Sequence, residues 1–186
     1  MSLNQRRIGV YGGAFDPPHN AHRVLVQTAM DQLQLDELRV FPTGHAWHKS
    51  RTLTAATHRL AMAELAFAGI PGVHVDGREL ERAGPTYTID TLRELQAETP
   101  AAQLFLLMGT DQAVALKTWH AWQAILQSAL IWIARRAQTL SAIGPFNASI
   151  NPGGRFETLP MPPLNVTVPH IRSRLPTQLA IDHLVP

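Results

Sequence analysis

A chain of 186 residues, 45% of them hydrophobic and 16% charged, has the profile of one compact domain with a sizeable core and excludes disorder and collagen. Sixteen Lys and Arg against fourteen Asp and Glu leave a formal charge of +2, and with two Tyr and no Cys the sequence pI is about 9.5. The absence of cysteine excludes disulfides, thiol nucleophiles and sulfur-ligated zinc.

The longest apolar stretches, Leu104 to Met108 and Ala129 to Ala134, fall far short of the ~20 residues that span a bilayer. Met1 to Arg7 leads straight into Ile8-Gly9-Val10 with no leader pattern, so a cytoplasmic location is expected. The arginines are scattered as Arg23, Arg39, Arg59, Arg78 and Arg93 without a stripe, which points away from nucleic acid and toward small anionic ligands. Guanidinium suits phosphate, although a coding bias toward Arg explains the count equally well.

Arg7 to Tyr11 reads as a short buried strand that breaks at Gly12-Gly13. Ala21 to Leu35 follows with helical periodicity, and Asn20 is placed to cap it. Leu38 to Phe41 is a second strand stopped by Pro42. A loop runs to Leu53, a helix opens at Thr54 or Thr57 and carries on to Gly69, and Val73 to Val75 is a third strand. Thr88 is placed to cap a helix through Thr99, Leu104 to Met108 is a fourth strand, and Asp111 to Gln127 is helical with a break near Lys117-Thr118-Trp119. Leu130 to Ala134 is a fifth strand.

Apolar strands without polar alternation, separated by helices, predict an α/β fold: a doubly wound parallel sheet covered on both faces, with ligands at the carboxyl ends of the strands. Eight of the fourteen prolines lie between Pro145 and Pro186. The expectation is a single domain over 1–186, with a loop or lid at 147–163 and a C-terminal subregion at 164–186. In that subregion Leu164 to Val168 is expected as a last strand and Ile171 to Leu175 as a short helix.

The stretch Gly12-Gly13-Ala14-Phe15-Asp16-Pro17-Pro18-His19-Asn20-Ala21-His22 joins the first strand to the first helix. Two glycines let the backbone approach a ligand, successive N–H groups can converge on an anion, and a helix start adds partial positive charge. This is a phosphate cradle, and it is neither the dinucleotide G-x-G-x-x-G nor a P-loop. His19 and His22, three residues apart, can face the same anion and stabilise charge developing on phosphate oxygens. A packed or capping pair is the plain alternative. No third ligand at a sensible spacing supports a zinc site, so no protein-held metal is expected.

Gly12 to His22 closely resembles the G-G-[TS]-F-D-P-x-H-x-G-H signature of the nucleotidylyltransferase superfamily. Further segments resemble those of the nicotinate-nucleotide adenylyltransferases: Ala46-Trp47-His48-Lys49, Pro85-Thr86-Tyr87-Thr88-Ile89-Asp90-Thr91-Leu92, Met108-Gly109-Thr110-Asp111, and the Trp119, Trp122 pair. The resemblance covers Ile8 to about Arg136. It implies a Rossmann-like fold and transfer of the adenylyl group of ATP to nicotinate mononucleotide, with Mg²⁺ carried on ATP. It also implies roles for particular residues. Gly12, Gly13, Ala14, Phe15, His19, His22, Gly109, Asp111, Arg136 and Arg172 would bind ATP. His48, Lys49, Tyr87, Thr88 and Trp119 would bind the mononucleotide, and His19, His22, Lys49 and Arg172 would act in catalysis. On residue type alone Trp119 also fits a core anchor, and Thr88 and Asp111 fit helix caps.

Two departures stand out. Ala21 replaces the usual Gly, and Val166-Thr167-Val168-Pro169-His170-Ile171-Arg172 replaces I-S-[SA]-T-x-I-R, which keeps the Arg but loses side-chain donors at Val168 and Pro169. The chain stops at Pro186, ahead of the terminal helix that the resemblance leads one to expect. Two alternative functions follow: another transferase of the superfamily, such as one acting on phosphopantetheine, or a nucleotide-binding module without turnover.

Overall fold

A computed structural model describes residues 5–44, 53–136 and 156–162. Among these residues six strands form one parallel sheet in the order β3-β2-β1-β4-β5-β6. They are β1 (Arg7–Gly13), β2 (Glu37–Pro42), β3 (Val73–Val75), β4 (Gln103–Gly109), β5 (Leu130–Arg136) and β6 (Phe156–Met161). The helices are α1 (Asn20–Gln32), α2 (Ala56–Phe67), α3 (Arg78–Glu81), α4 (Thr88–Glu98), α5 (Thr110–Ala115) and α6 (Trp122–Ser128).

Along the strands, side chains alternate between two apolar faces. Ile8, Val10, Phe41, Leu104, Leu106, Met108, Ile131 and Ile133 face α4, α5 and α6, and pack with Ile89, Leu92, Leu95 and Ile125. Tyr11, Leu38, Val40, Phe105, Leu107 and Leu159 face α1 and α2, and pack with Leu25, Val26, Ala29, Ala63 and Phe67. Both faces are buried, as the apolar strands required. The chain winds outward from β1 to β3, then returns to lay β4 on the other side of β1, so the strand order reverses between β1 and β4.

The structure departs from the sequence reading in several places. Residues 156–161, inside the segment expected as a loop, form edge strand β6 in register with β5. Pro160, which cannot donate to a ladder, is tolerated because β6 lies at the sheet edge. Arg135 and Arg136, placed beyond the fifth strand by sequence, are its last two residues and pair with Pro160 and Met161. The short helix α3 occupies a stretch read only as polar. The predicted break in the 111–127 helix is a 3₁₀ turn at Leu116–Thr118, and Ala121 has left-handed backbone with φ 50°. The strand expected at 164–168 and the helix expected at 171–175 lie outside the described residues.

Candidate active site

β1 ends at Gly13, whose carbonyl accepts from the Thr43 N–H at 2.8 Å. A Cβ on Gly13 would come within 2.9 Å of the Phe15 ring, whereas one on Gly12 would meet no atom within 4 Å. Packing therefore demands the second glycine, while the first stands at an open edge. Phe15 has left-handed backbone with φ 46° although it carries a bulky side chain, a conformation that costs on the order of 1 kcal/mol or more and persists only when its surroundings enforce it. Its ring makes edge contacts with Tyr11, Phe67 and His22 at centroid distances of 5.6, 5.6 and 5.3 Å. Burial raises the pKa of the Tyr11 phenol, so that hydroxyl stays protonated.

The residue flanking α1 is His19 and not the expected Asn20: its backbone is extended, and its N–H donates to His22 Nδ1 at 3.0 Å. An Nδ1 that accepts a backbone N–H cannot carry a proton, so the His22 proton lies on Nε2, which becomes a donor. The two rings stack at 3.7 Å with an 18° interplanar angle. Two imidazolium charges at that spacing would repel strongly, so the pair is suited to donating hydrogen bonds and not to accumulating charge.

Across the reversal point, β4 ends at Gly109, where a Cβ would again meet nothing within 4 Å. Asp111 lies exposed in the first turn of α5 and makes no side-chain cap. Gly13 and Gly109 thus end adjacent strands at the same carboxyl edge, with the open Gly12 beside them.

A second group of candidates sits at the head of α4. A helix leading into a parallel strand begins at the carboxyl edge of the sheet, which places Tyr87 and Thr88 there. The flanking residue is Tyr87, with Thr88 first in the helix, one position on from the expected cap. Tyr87 stacks on His120 at 4.3 Å, and Tyr87 and Trp119 both pack, half-buried, against the core face that holds Met108 and Phe41.

The support for this segment was not foreseen. Glu79, 6% exposed, accepts from the Thr91 hydroxyl at 2.6 Å, its backbone carbonyl accepts from Thr86 Oγ1 at 3.4 Å, and Arg82 donates to Thr91 Oγ1 at 2.9 Å. Burial pushes the Glu79 carboxyl up to about 7 against the opposing effects of Thr91 and Arg82. Gly44 lies against the same point: a Cβ there would sit 2.1 Å from the Glu79 carbonyl oxygen and 2.8 Å from Thr86 Oγ1. The end of β2 therefore abuts the Thr86 to Thr88 segment.

The structure brings Gly12, Gly13, Ala14, Phe15, His19, His22, Gly109 and Asp111 to one edge, with Tyr87, Thr88 and Trp119 grouped at the head of α4 and the turn before α6. His48, Lys49 and Arg172 lie outside the described residues, as do Val168 and Pro169, and Arg136 is placed by its backbone alone. Four of the scattered arginines are engaged within the structure. Arg23 donates to the Ala66 and Ala68 carbonyls. Arg39 and Arg78 join Glu37, Asp76, Glu94 and Glu98 in one ion network. Arg59 donates to three backbone carbonyls. Their scatter reflects local structure rather than an anionic ligand.

An open glycine edge at the reversal point of a doubly wound sheet, with paired histidines at the first helix, is an arrangement that can take the phosphates of a nucleotide. A family model described as cytidylyltransferase-like matches residues 10–173, and the chain belongs to that family. Within it, the chain is a member of the nicotinate-nucleotide adenylyltransferases, as its similarity to curated relatives shows. A relative from Albidiferax ferrireducens named "Probable nicotinate-nucleotide adenylyltransferase" is 57% identical over 180 residues, covering 97% of this chain and 91% of its own length. One of the same name from Methylibium petroleiphilum is 47% identical over 182 residues, covering 98% and 85%. The fold is shared with the Plasmodium falciparum nicotinic acid mononucleotide adenylyltransferase complexed with NaAD, at a TM-score of 0.70 and 18% identity over 90% of this chain and 83% of that one.

Proposed function

We propose that this chain transfers the adenylyl group of ATP to nicotinate mononucleotide, giving nicotinate adenine dinucleotide and pyrophosphate, as a cytoplasmic step of NAD biosynthesis. The observation that carries the reading is the meeting of two landmarks at the reversal point: the Gly12 to His22 cradle after β1 and the Gly109 to Asp111 turn after β4. The names of the relatives support the choice of acceptor.

In this reading the Ala14 and Phe15 N–H groups, with the His19 and His22 rings, hold the ATP phosphates. The 5′-phosphate oxygen of the mononucleotide attacks the α-phosphorus in line, a new P–O bond forms, and the bond to the bridging oxygen breaks to release pyrophosphate. His22 Nε2–H stabilises charge on the phosphoryl oxygens as that bond breaks. Asp111 accepts from ribose hydroxyls, Trp119 and Tyr87 offer flat surfaces to the pyridine ring, and Thr88 with the first N–H groups of α4 takes the nicotinate carboxylate. His48, Lys49, Arg136 and Arg172 supply positive charge to the phosphates.

Among the described residues no group of three or more His, Asp and Glu could cage an ion. In this reading Mg²⁺ would be carried on the phosphates of ATP, where it would neutralise charge on the leaving pyrophosphate.

The test is pyrophosphate release from ATP and Mg²⁺ with nicotinate mononucleotide, nicotinamide mononucleotide and phosphopantetheine supplied singly. Turnover with the nicotinate form, at the highest specificity constant of the three, is expected. Val168 and Pro169 favour a second reading, nucleotide binding without turnover, because they remove donors from the phosphate end. Tight nucleotide binding with no pyrophosphate from any acceptor would establish that reading and overturn the first.

A further inference from the structure

Behind the cradle one guanidinium ties three stretches of chain together. Arg59, 3% exposed on α2, donates from Nη1 to the Ala14 carbonyl at 3.0 Å and to the Thr43 carbonyl at 2.8 Å, and from Nε to the Thr54 carbonyl at 2.9 Å. We propose that Arg59 is a positioning residue that aims the Ala14 and Phe15 N–H groups at the nucleotide phosphates; this rests on the reading of that edge as the ATP phosphate site.

The geometry follows from the trans peptide. A trans peptide sets its C=O and N–H in opposite directions, so fixing a carbonyl fixes the N–H of the next residue. Gly13 O is held by the Thr43 N–H, which turns the Ala14 N–H away from β2. Ala14 O is held by Arg59, which turns the Phe15 N–H away from α2. The same Nη1 holds Thr43 O, so the residue that orients the first peptide is fixed by the residue that orients the second.

Phe15 needs such an outside hold. Its φ of 46° is disfavoured for a side chain of that size, and a freed Ala14–Phe15 peptide would rotate toward ordinary backbone and carry the N–H off target. The charge is also accommodated. Asp16, 3% exposed, opposes the effect of burial on Arg59, and its Oδ2 accepts from the Thr54 N–H at 3.2 Å, closing the circuit on the same strand of loop. Lysine cannot reproduce the arrangement, because a single ammonium lacks the fork that reaches Thr54 and the other two carbonyls together.

Arg59→Lys and Arg59→Met test the assignment, with Arg7→Met as a control at the opposite end of β1, where Arg7 Nε donates to Leu33 O and the guanidinium covers the Phe105 ring. The backbone amide chemical shifts of Ala14 and Phe15, read without nucleotide, are expected to move in both Arg59 variants and to stay in place in the control. The calorimetric Kd for ATP alone is expected to rise about 10-fold or more, with the KM for the mononucleotide within about twofold.

Unmoved Ala14 and Phe15 amide shifts in Arg59→Lys would overturn the positioning role, as would an unchanged ATP Kd or a matching rise in both substrates' constants. Failure of the wild-type chain to bind ATP would instead remove the phosphate site, and the proposal with it. Should Arg59→Met not fold, Arg59→Lys carries the same readouts.

Discussion

The two ends of the site are braced by opposite chemistry. At the proposed phosphate end a buried guanidinium, charged at every usable pH, grips backbone carbonyls beside Phe15, which has left-handed backbone. At the proposed acceptor end Glu79 braces Thr91 with its buried carboxyl and Thr86 with its backbone carbonyl, while burial pushes the carboxyl pKa up to about 7. One brace is indifferent to pH, and the other changes charge near neutrality.

The contrast is broken most directly at the phosphate end. His22→Ala should lower kcat about 100-fold or more if the Nε2–H stabilises charge in the transition state. An unchanged steady-state rate would show that the ring only packs against Phe15. Next in size, Gly44→Ala drives a methyl into the Glu79 carbonyl, where neither backbone can yield cheaply, and should cost about 1–3 kcal/mol in thermal unfolding. Its kinetic effect should fall on the KM for the mononucleotide and spare that for ATP; equal effects on both would erase the distinction between the ends.

Glu79→Gln sharpens the comparison. The unfolded carboxyl titrates near 4.5 and the folded one near 7, so the native state holds the proton across that window. This contribution to stability is fully present below 4.5 and is lost as pH rises through 7. Glutamine mimics the protonated form, so the wild-type Tm should fall relative to the variant by a few degrees between pH 5 and 8. Parallel Tm curves would mean that Thr91 and Arg82 keep the carboxyl at its ordinary value. Smallest of all, Arg93→Ala removes an exposed pair 3.7 Å from Asp90 and should change stability by no more than ~0.5 kcal/mol, which chemical denaturation can check.

The elements visible in sequence were those with local causes. β1, β2, β4 and β5 declare themselves because both of their faces are apolar, and Gly12 to His22 does so because glycines, prolines and paired histidines crowd one turn. Glu157, Thr158 and Pro160 dilute β6 to a few apolar positions split between two faces, so no period survives. Arg59, Gly44 and Glu79 were invisible for a different reason: each acts on chain far from its own position, Arg59 on Ala14 45 residues away. Their neighbours in sequence say nothing of this. The same blindness made occupied arginines resemble a supply of phosphate ligands.

The late strand at the sheet edge also bears on how the molecule comes into being. Leu159 of β6 lies in the same apolar cluster as Leu25, Val26 and Ala29 of α1, so the first helix is not fully roofed until the far end of the chain has been made. During synthesis that helix must wait, with part of its apolar face bare, for a partner more than a hundred residues downstream. Such distant closure slows folding, and it makes the nascent chain most vulnerable to sticking at the very segment that carries the histidine pair.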